Sequence, residues 1–281
     1  MSAGPVVAAP DDADLERRFG GLRRLYGARG YARVRAARVA VVGLGGVGSW
    51  AVEALARSGV AQLVLIDLDQ VSESNVNRQI QALGSTLGMS KADALARRIA
   101  DIHPGCRVHC IEEFADADNW PGLLPGAVDA VIDACDQGHA KLALAAWALH
   151  TGVAYVCCGA AGGKRRAEKI EIEDLHATTH DPLLAGLRQR LRARHGAPRS
   201  GRIGVRCVFS RESVAPPASD ADADAACEVT GAGGAPGEVG TGAAPTPRDN
   251  TLNCHGYGSS VTVTASFGMA AAGEIISQLL S

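Results

Sequence analysis

The segment Gly43-Leu44-Gly45-Gly46-Val47-Gly48 fits G-x-G-x-x-G. Glycines at that spacing let backbone N–H groups approach a phosphate, and a helix starting behind the turn adds unpaired N–H groups at the positive end of its dipole. Asp67 follows where a carboxylate meets a ribose hydroxyl. Gly43, Gly45, Gly46, Gly48 and Asp67 therefore read as a nucleotide cradle, and they do not by themselves choose between NAD and ATP. The stretch after the second strand makes that choice: Asp67-Leu68-Asp69, then Ser74-Asn75-Val76-Asn77-Arg78-Gln79, then Lys91. Hydride transfer needs a nicotinamide pocket and has little use for an Asn, an Arg and a Lys at the phosphate end. Adenylyl transfer does need them, because its catalysis is mainly positioning and cationic stabilisation of phosphate oxygens. Taken singly, each of these residues is a common solvated surface group; as a set they point to a triphosphate.

Asp133-Ala134-Cys135-Asp136 is a second carboxylate-bearing stretch, at the end of the run Val131-Ile132. A carboxylate there suits the magnesium ion that bridges ATP phosphates, and Asp136 is the expected ligand. Either Asp133 caps the helix that begins near Gly138 or neither aspartate does.

Such residues need a frame that brings them together. Arg38-Val39-Ala40-Val41-Val42 is a short β-branched run ending at Gly43, the pattern of a strand buried on both faces of a parallel sheet. Ser49 to Arg57 reads as a helix and Gln62 to Asp67 as a second buried strand, completing a βαβ unit. A helix from Lys91 to Ile102, strands near Arg107 to Ile111 and Ala130 to Asp133, a helix from Ala140 to His150 and a strand Val153 to Cys157 continue the alternation. This predicts an α/β fold with a doubly wound, mainly parallel, Rossmann-like sheet whose carboxyl-end crevice gathers the motif residues. Before it, Leu15 to Ala36 mixes arginines with apolar residues as amphipathic helix and turn. From about Glu212 to Asn250 the chain is Ala, Gly, Asp, Pro, Ser and Thr with almost no large apolar residue, a composition that predicts a long mobile loop. The tail returns to core composition, so the expectation is one domain, 1–281, with a nucleotide-binding core at 15–160 and the loop 211–250 inserted in its substrate half.

With 281 residues, 47% apolar and 21% charged, the chain can bury a full core. Its net charge of −2 hides arginine-rich stretches at 17–38 and 188–206, which permit an anionic partner without demanding one. Eight cysteines in a chain that opens without a signal-peptide pattern point to a reducing cytoplasm. The apolar run from Ser259 to Leu280 is diluted by Thr262, Thr264, Ser266 and Glu274, and reads as a buried strand and helix, leaving peripheral membrane contact as the alternative to a fully cytoplasmic protein.

As a set, the arginine-bearing N-terminal segment, Gly-x-Gly-Gly-x-Gly, Asp-x-Asp-x-Val, Asn-x-x-Arg-Gln, Lys91 and the late Asp136 resemble the ubiquitin-activating-enzyme-like adenylating family, which includes enzymes of thiamine and molybdopterin synthesis. The pattern covers roughly Arg17 to Gly162. The resemblance implies ATP and magnesium as cofactors, ribose binding by Asp67, phosphate contacts by Asn75, Arg78 and Lys91, and magnesium-dependent adenylation served by Asp136. It also implies a homodimer in which an arginine, here Arg18 or Arg24, reaches the neighbouring subunit's ATP. Within the family, Arg18-Phe19-Gly20-Gly21, Arg24-Leu25-Tyr26-Gly27, Asp181-Pro182-Leu183, Cys207-Val208-Phe209-Ser210 and the tail ending Ser266-Phe267-Gly268 look most like the tRNA-modifying dehydratases. That implies ATP-driven activation of a threonyl carboxylate on a modified tRNA adenosine, followed by intramolecular ring closure, with tRNA and not DNA as partner.

The family's sulfur-carrier-activating members carry C-x-x-C pairs for structural zinc, and this chain has none: Cys106 and Cys110, and the adjacent Cys157 and Cys158, read as small core residues. Adenylation of a sulfur carrier, a non-catalytic nucleotide-binding adaptor in a sulfur relay, and a nicotinamide dehydrogenase are the competing readings. Cys254, beside His255 and among glycines, is either a buried thiol or a covalent nucleophile, in which case a cysteine-desulfurase relay partner is implied. His176 and His180 read as helix surface. Leucines 183, 184, 187 and 191 mark one helical face and leave Arg188, Arg192 and Arg194 toward solvent, where with Arg199, Arg202, Arg206 and Lys164-Arg165-Arg166 they either solubilise the chain or grip a tRNA backbone.

Overall fold

The computed structural model describes residues 14–215 and 257–281. Two N-terminal helices, α1 (Leu15–Phe19) and α2 (Gly21–Ala36), lead into β1 (Arg38–Val42), α3 (Gly48–Arg57) and β2 (Gln62–Ile66). The chain continues through α4 (Lys91–Ile102), β3 (Arg107–Ile111), β4 (Ala130–Asp133), α5 (Gly138–Thr151) and β5 (Ala154–Cys158), then β6 (Ile170–Asp174), α6 (Pro182–Arg194), β7 (Arg206–Ser210) and α7 (Val261–Leu280).

The seven strands form one sheet in the order β3-β2-β1-β4-β5-β7-β6. All neighbours pair in parallel except β6 with β7. The apolar runs of β1 and β2 have helices on both faces to bury them, which is why they lack an alternating pattern. On one face Val39, Val41, Leu63 and Leu65 pack with Leu55 of α3, Leu95 of α4 and Phe267 of α7. On the other Ala40, Val42, Val64 and Ile66 share a core with Leu144 of α5 and with Leu187 and Leu191 of α6.

Strand order reverses between β1 and β4. Gly43 continues β1 by donating its N–H to Ile66, and Ala134 continues β4 by donating to Val42, at 2.9 and 2.8 Å. The two strand ends therefore open side by side into a crevice, the place where a doubly wound sheet binds ligand. The helix starts are set locally: Ser90 caps α4 through Asp93 N–H and Asp181 caps α6 through Leu184 N–H.

Two expectations change, and one alternative left open by the sequence is decided. The tail contains no strand; residues 261–280 are one helix, because Val263, Phe267, Ala271 and Ile275 recur at helical spacing and are all fully buried. By length and composition this helix meets the criterion for a membrane span, with 44% of its apolar window buried in the core. Arg188 does not face solvent: its guanidinium donates to the carbonyls of Leu175 and Thr178, joining α6 to the turn before it. Asp133 does not cap α5, whose N-cap is Gln137 with no side-chain cap bond.

Candidate active site

A cleft of about 170 Å³ lies at the switch point, lined by Gly43, Gly45, Gly46, Val47, Asp67, Asp69, Lys91 and Asp136, among others. The turn that begins it is tight for a stated reason. Gly43 has φ +85°, and a side-chain carbon there would sit 2.8 Å from the Cys135 nitrogen of the neighbouring strand's exit. Gly48 lines no part of the cleft; its missing side chain lets α3 start directly against the Gly43 carbonyl.

Asp67, 7% exposed, accepts the N–H of Leu44 at 2.6 Å and the N–H of Asp69 at 2.8 Å, so one carboxylate braces the phosphate turn and its own following loop. Burial raises its pKa from the ordinary carboxylate value, opposed by Lys91 and by those two N–H donors. Lys91 Nζ lies 2.6 Å from Asp69 and 3.7 Å from Asp67. The ammonium is thus pinned at the cleft wall by Asp69, whose side chain is 54% exposed, and by Asp67.

Asn75 and Arg78 sit differently. Asn75 is buried in a capping box, its side-chain oxygen accepting the Ser72 N–H at 3.1 Å, and it is not among the lining residues. Arg78 packs its stem beside Gly46, and its guanidinium donates to the Ser74 carbonyl at 2.6 Å and to Asn77 at 2.9 Å. Its Nε is buried with no partner among the described residues. Arg78 is therefore next to the phosphate turn with unspent hydrogen-bonding capacity, but not turned into the cleft.

Asp136 is exposed on the 134–137 turn, all four residues of which line the cleft. Beneath it Asp133, fully buried, accepts from Lys141 Nζ at 2.9 Å and from Tyr155 Oη at 2.8 Å, and its Oδ1 also takes the Cys135 N–H at 3.2 Å. This buried pair fixes the turn that carries Asp136. Burial together with the Asp133 charge raises the Cys135 thiol well above its ordinary pKa, so that thiol stays protonated beside the cleft.

Of the two candidate arginines from the N-terminal segment, Arg18 donates to the carbonyls of Asp101 and Ile102 at the end of α4, and Arg24 is exposed. Cys254 lies outside the described residues. His176 pairs with Asp174, and no group of three or more metal-ligating side chains occurs among the described residues.

The far wall of the cleft is an addition to the expected site. Gly159, Ala160, Ala161 and Gly162, at the exit of β5, line it together with Leu183 of α6 and Thr264 of α7. The sequence does carry a signal for it: a glycine-rich run directly after a buried strand, at the same carboxyl end as Gly43, is where such a sheet holds ligand.

The ThiF family profile matches residues 19–281. The tRNA threonylcarbamoyladenosine dehydratase of Escherichia coli is 38% identical over 268 residues, covering 94% of each chain. That of Haemophilus influenzae is 35% identical, covering 99% of this chain and 98% of its own. The crystal structure of the Escherichia coli enzyme in complex with ATP superposes with a TM-score of 0.79 at 36% identity, over 95% of this chain and 96% of that one. With the glycine turn, the braced Asp67 and the pinned Lys91 at the switch point of the same fold, the chain belongs to the ThiF family.

Proposed function

We propose that this protein is an ATP-dependent tRNA-modifying enzyme that dehydrates threonylcarbamoyladenosine in tRNA. The observation that carries the reading is the likeness to dehydratases along nearly the whole chain, including the second cleft wall, where a likeness in the nucleotide half alone would fit any adenylating enzyme. The chemistry balances. The threonyl carboxylate attacks the α-phosphorus of ATP and pyrophosphate leaves; the substrate's own carbamoyl group then attacks the acyl carbon, releasing its proton to solvent, and AMP leaves, taking with it the oxygen that a direct dehydration would lose as water. Adenylation converts a poor electrophile into one with a good leaving group, and because the nucleophile is already attached, proximity supplies much of the remaining acceleration.

The parts proposed for the residues follow from the chemistry of adenylyl transfer. The N–H groups at 45–48 would hold phosphate oxygens, those of Gly43 and Leu44 being spent on Ile66 and Asp67; Asp67 would hold the ribose, Lys91 would offset the charge that builds on the α-phosphate, Arg78 would join it on turning its guanidinium from Ser74 and Asn77, and Asp136 would hold a magnesium ion. Magnesium typically uses one or two carboxylates plus the phosphates themselves, which suits a lone exposed Asp136 at the rim. Held there, the ion would supply positive charge to offset that of the phosphates. The finer reading adds a cytoplasmic homodimer in which Arg24 acts on the partner's nucleotide, supported by the exposed apolar Leu25, Val76 and Leu83 and by the local use of Arg18. A cysteine-desulfurase relay partner is the corresponding proposal for Cys254.

The test is one assay with several arms. Purified protein, ATP, magnesium and tRNA bearing threonylcarbamoyladenosine yield a nucleoside lighter by one water in mass spectrometry. The yield falls with EDTA and with Arg24→Ala, and a wild type leaving the nucleoside unchanged sinks the assignment. Equal numbers of Arg24→Ala and Asp136→Ala chains recover part of the activity only if sites are shared between subunits. Co-purification of a desulfurase with wild type but not with Cys254→Ser tests the relay.

A further inference from the structure

The far wall of the cleft poses a packing problem. Gly159, Ala160, Ala161 and Gly162 carry almost no side chain, and of them only Ala161 packs into the apolar core, so apolar interdigitation holds the wall less firmly than the strands behind it. Two buried ionisable side chains hold it instead. Asp181, 5% exposed, accepts the Ala160 N–H at 2.8 Å and the Leu184 N–H at 3.0 Å. A side-chain carbon on Gly159 would collide with the same carboxylate, so glycine there lets Asp181 come under the wall. Lys164, 2% exposed, donates to the His180 carbonyl at 2.9 Å and to the Glu212 carbonyl.

Among the described residues neither charge is spent on a close ion pair; each is spent on main-chain groups. Between them they tie the wall, the start of α6 and the exit of β7 into one unit. Gly163 completes it: its N–H donates to Gly258 and its carbonyl accepts from Ala215, at 3.0 and 2.9 Å, so the chain on either side of residues 216–256 meets at one residue beside the wall. Its φ is +70° and a side chain would sit 2.7 Å from Val214. Burying a cation costs free energy that burying a hydrophobic residue would not, and what it brings here is a fixed main-chain position.

We infer that Lys164, with Asp181, is a positioning residue for the acceptor half of the site: it fixes the 159–162 wall against which the acyl end of the tRNA substrate is held during adenylation and ring closure. This rests on the proposed dehydratase activity. The nucleotide half, at 43–48, Asp67 and Lys91, is held by separate contacts, so the two halves are separable by experiment.

The test uses the full-length chain and its Lys164→Met variant, which keeps the side-chain length and removes the donors. ATP affinity is measured by titration calorimetry, and conversion of threonylcarbamoyladenosine-bearing tRNA by mass spectrometry. The expected result is an ATP Kd within about twofold of wild type and a tenfold or larger fall in kcat/KM for the modified tRNA. Unchanged kcat/KM overturns the inference, as does parallel loss of ATP affinity and turnover, which is the mark of a general structural role. If Lys164→Met does not fold, Asp181→Asn is read by the same split, since its amide nitrogen cannot accept the N–H that one carboxylate oxygen now takes. An inactive wild type that binds ATP overturns the activity and the inference with it, whereas an active wild type beside a fully active variant overturns the positioning role alone.

Discussion

Lys91 shows how much a single residue is asked to do. Its ammonium is 7% exposed and shared between Asp67 and Asp69, so it is held at one point of the cleft before any nucleotide arrives. A cation fixed in advance stabilises developing charge without a reorganisation cost at the moment of reaction. Removing it also leaves the buried Asp67 without a compensating charge. Lys91→Met is therefore expected to weaken ATP binding and to lower the adenylation rate by about 10²-fold or more, the range seen when one preorganised charge-stabilising group is deleted. Calorimetry and ATP-dependent turnover measure the two effects, and a variant with wild-type values for both would remove Lys91 from the site. Asn75 and Arg78 illustrate the opposite lesson: residue type and spacing placed both at the phosphate end, and the fold gives Asn75 a capping bond and turns the Arg78 guanidinium onto Ser74 and Asn77.

Among the elements, α7 matters beyond its place at the end of the chain. It lies against α3, the helix whose N-terminus faces the phosphate turn, and the contact is close because Gly268 lets its backbone touch the Val47 carbonyl. Thr264 of the same helix packs on Gly46 and lines the cleft. The end of the sequence thus supports the motif at its beginning. Phe267 is fully buried at this contact, and Phe267→Ala is expected to cost about 3–5 kcal/mol of stability, as large-to-small core changes do. Urea unfolding gives the value; a loss under about 1 kcal/mol would mean that the α3–α7 contact does not hold the core together.

At the scale of the whole molecule, the response of stability to pH has a traceable source. His103 follows α4, is 1% exposed, and faces Arg35 Nη1 at 2.9 Å and the Phe19 ring at 4.7 Å. Burial first, and then the Arg35 charge, lower its pKa from 6.5 to about 4. The unfolded chain therefore takes up a proton on this group at a higher pH than the folded chain does. The stability it contributes is complete above pH 6.5, is lost progressively as the pH falls toward about 4, and changes no further below that. The buried carboxyls of Asp67 and Asp181 are shifted upward, so they act with the opposite sign and partly mask the effect. Replacing His103 with Asn isolates it: the fall in urea midpoint between pH 7 and pH 4.5 is expected to be smaller in His103→Asn than in wild type, and equal falls would exclude His103 as the source.

The sequence by itself determined the five parallel strands β1–β5, the glycine turn with Asp67 and Lys91, and the class of chemistry; it did not mark β6 and β7 as strands. Local rules suffice for these: β-branched runs bury on both faces, glycines at fixed spacing permit one kind of turn, and Asp67 and Lys91 are tied to strand and helix ends that pattern alone locates. Lys91–Ile102 and Arg107–Ile111 were legible to the residue for the same reason. What only the tertiary structure decided depends on contacts between distant segments. That Lys141 and Tyr155 would meet at Asp133, that Arg188 would turn inward to Leu175 and Thr178, and that Lys164 would pin a wall of glycine and alanine to Glu212 are matters of which carbonyl or carboxylate lies nearest in space. A charged side chain reads as solvated until the fold supplies enough partners to repay its burial, and no period or spacing along the chain records where those partners are.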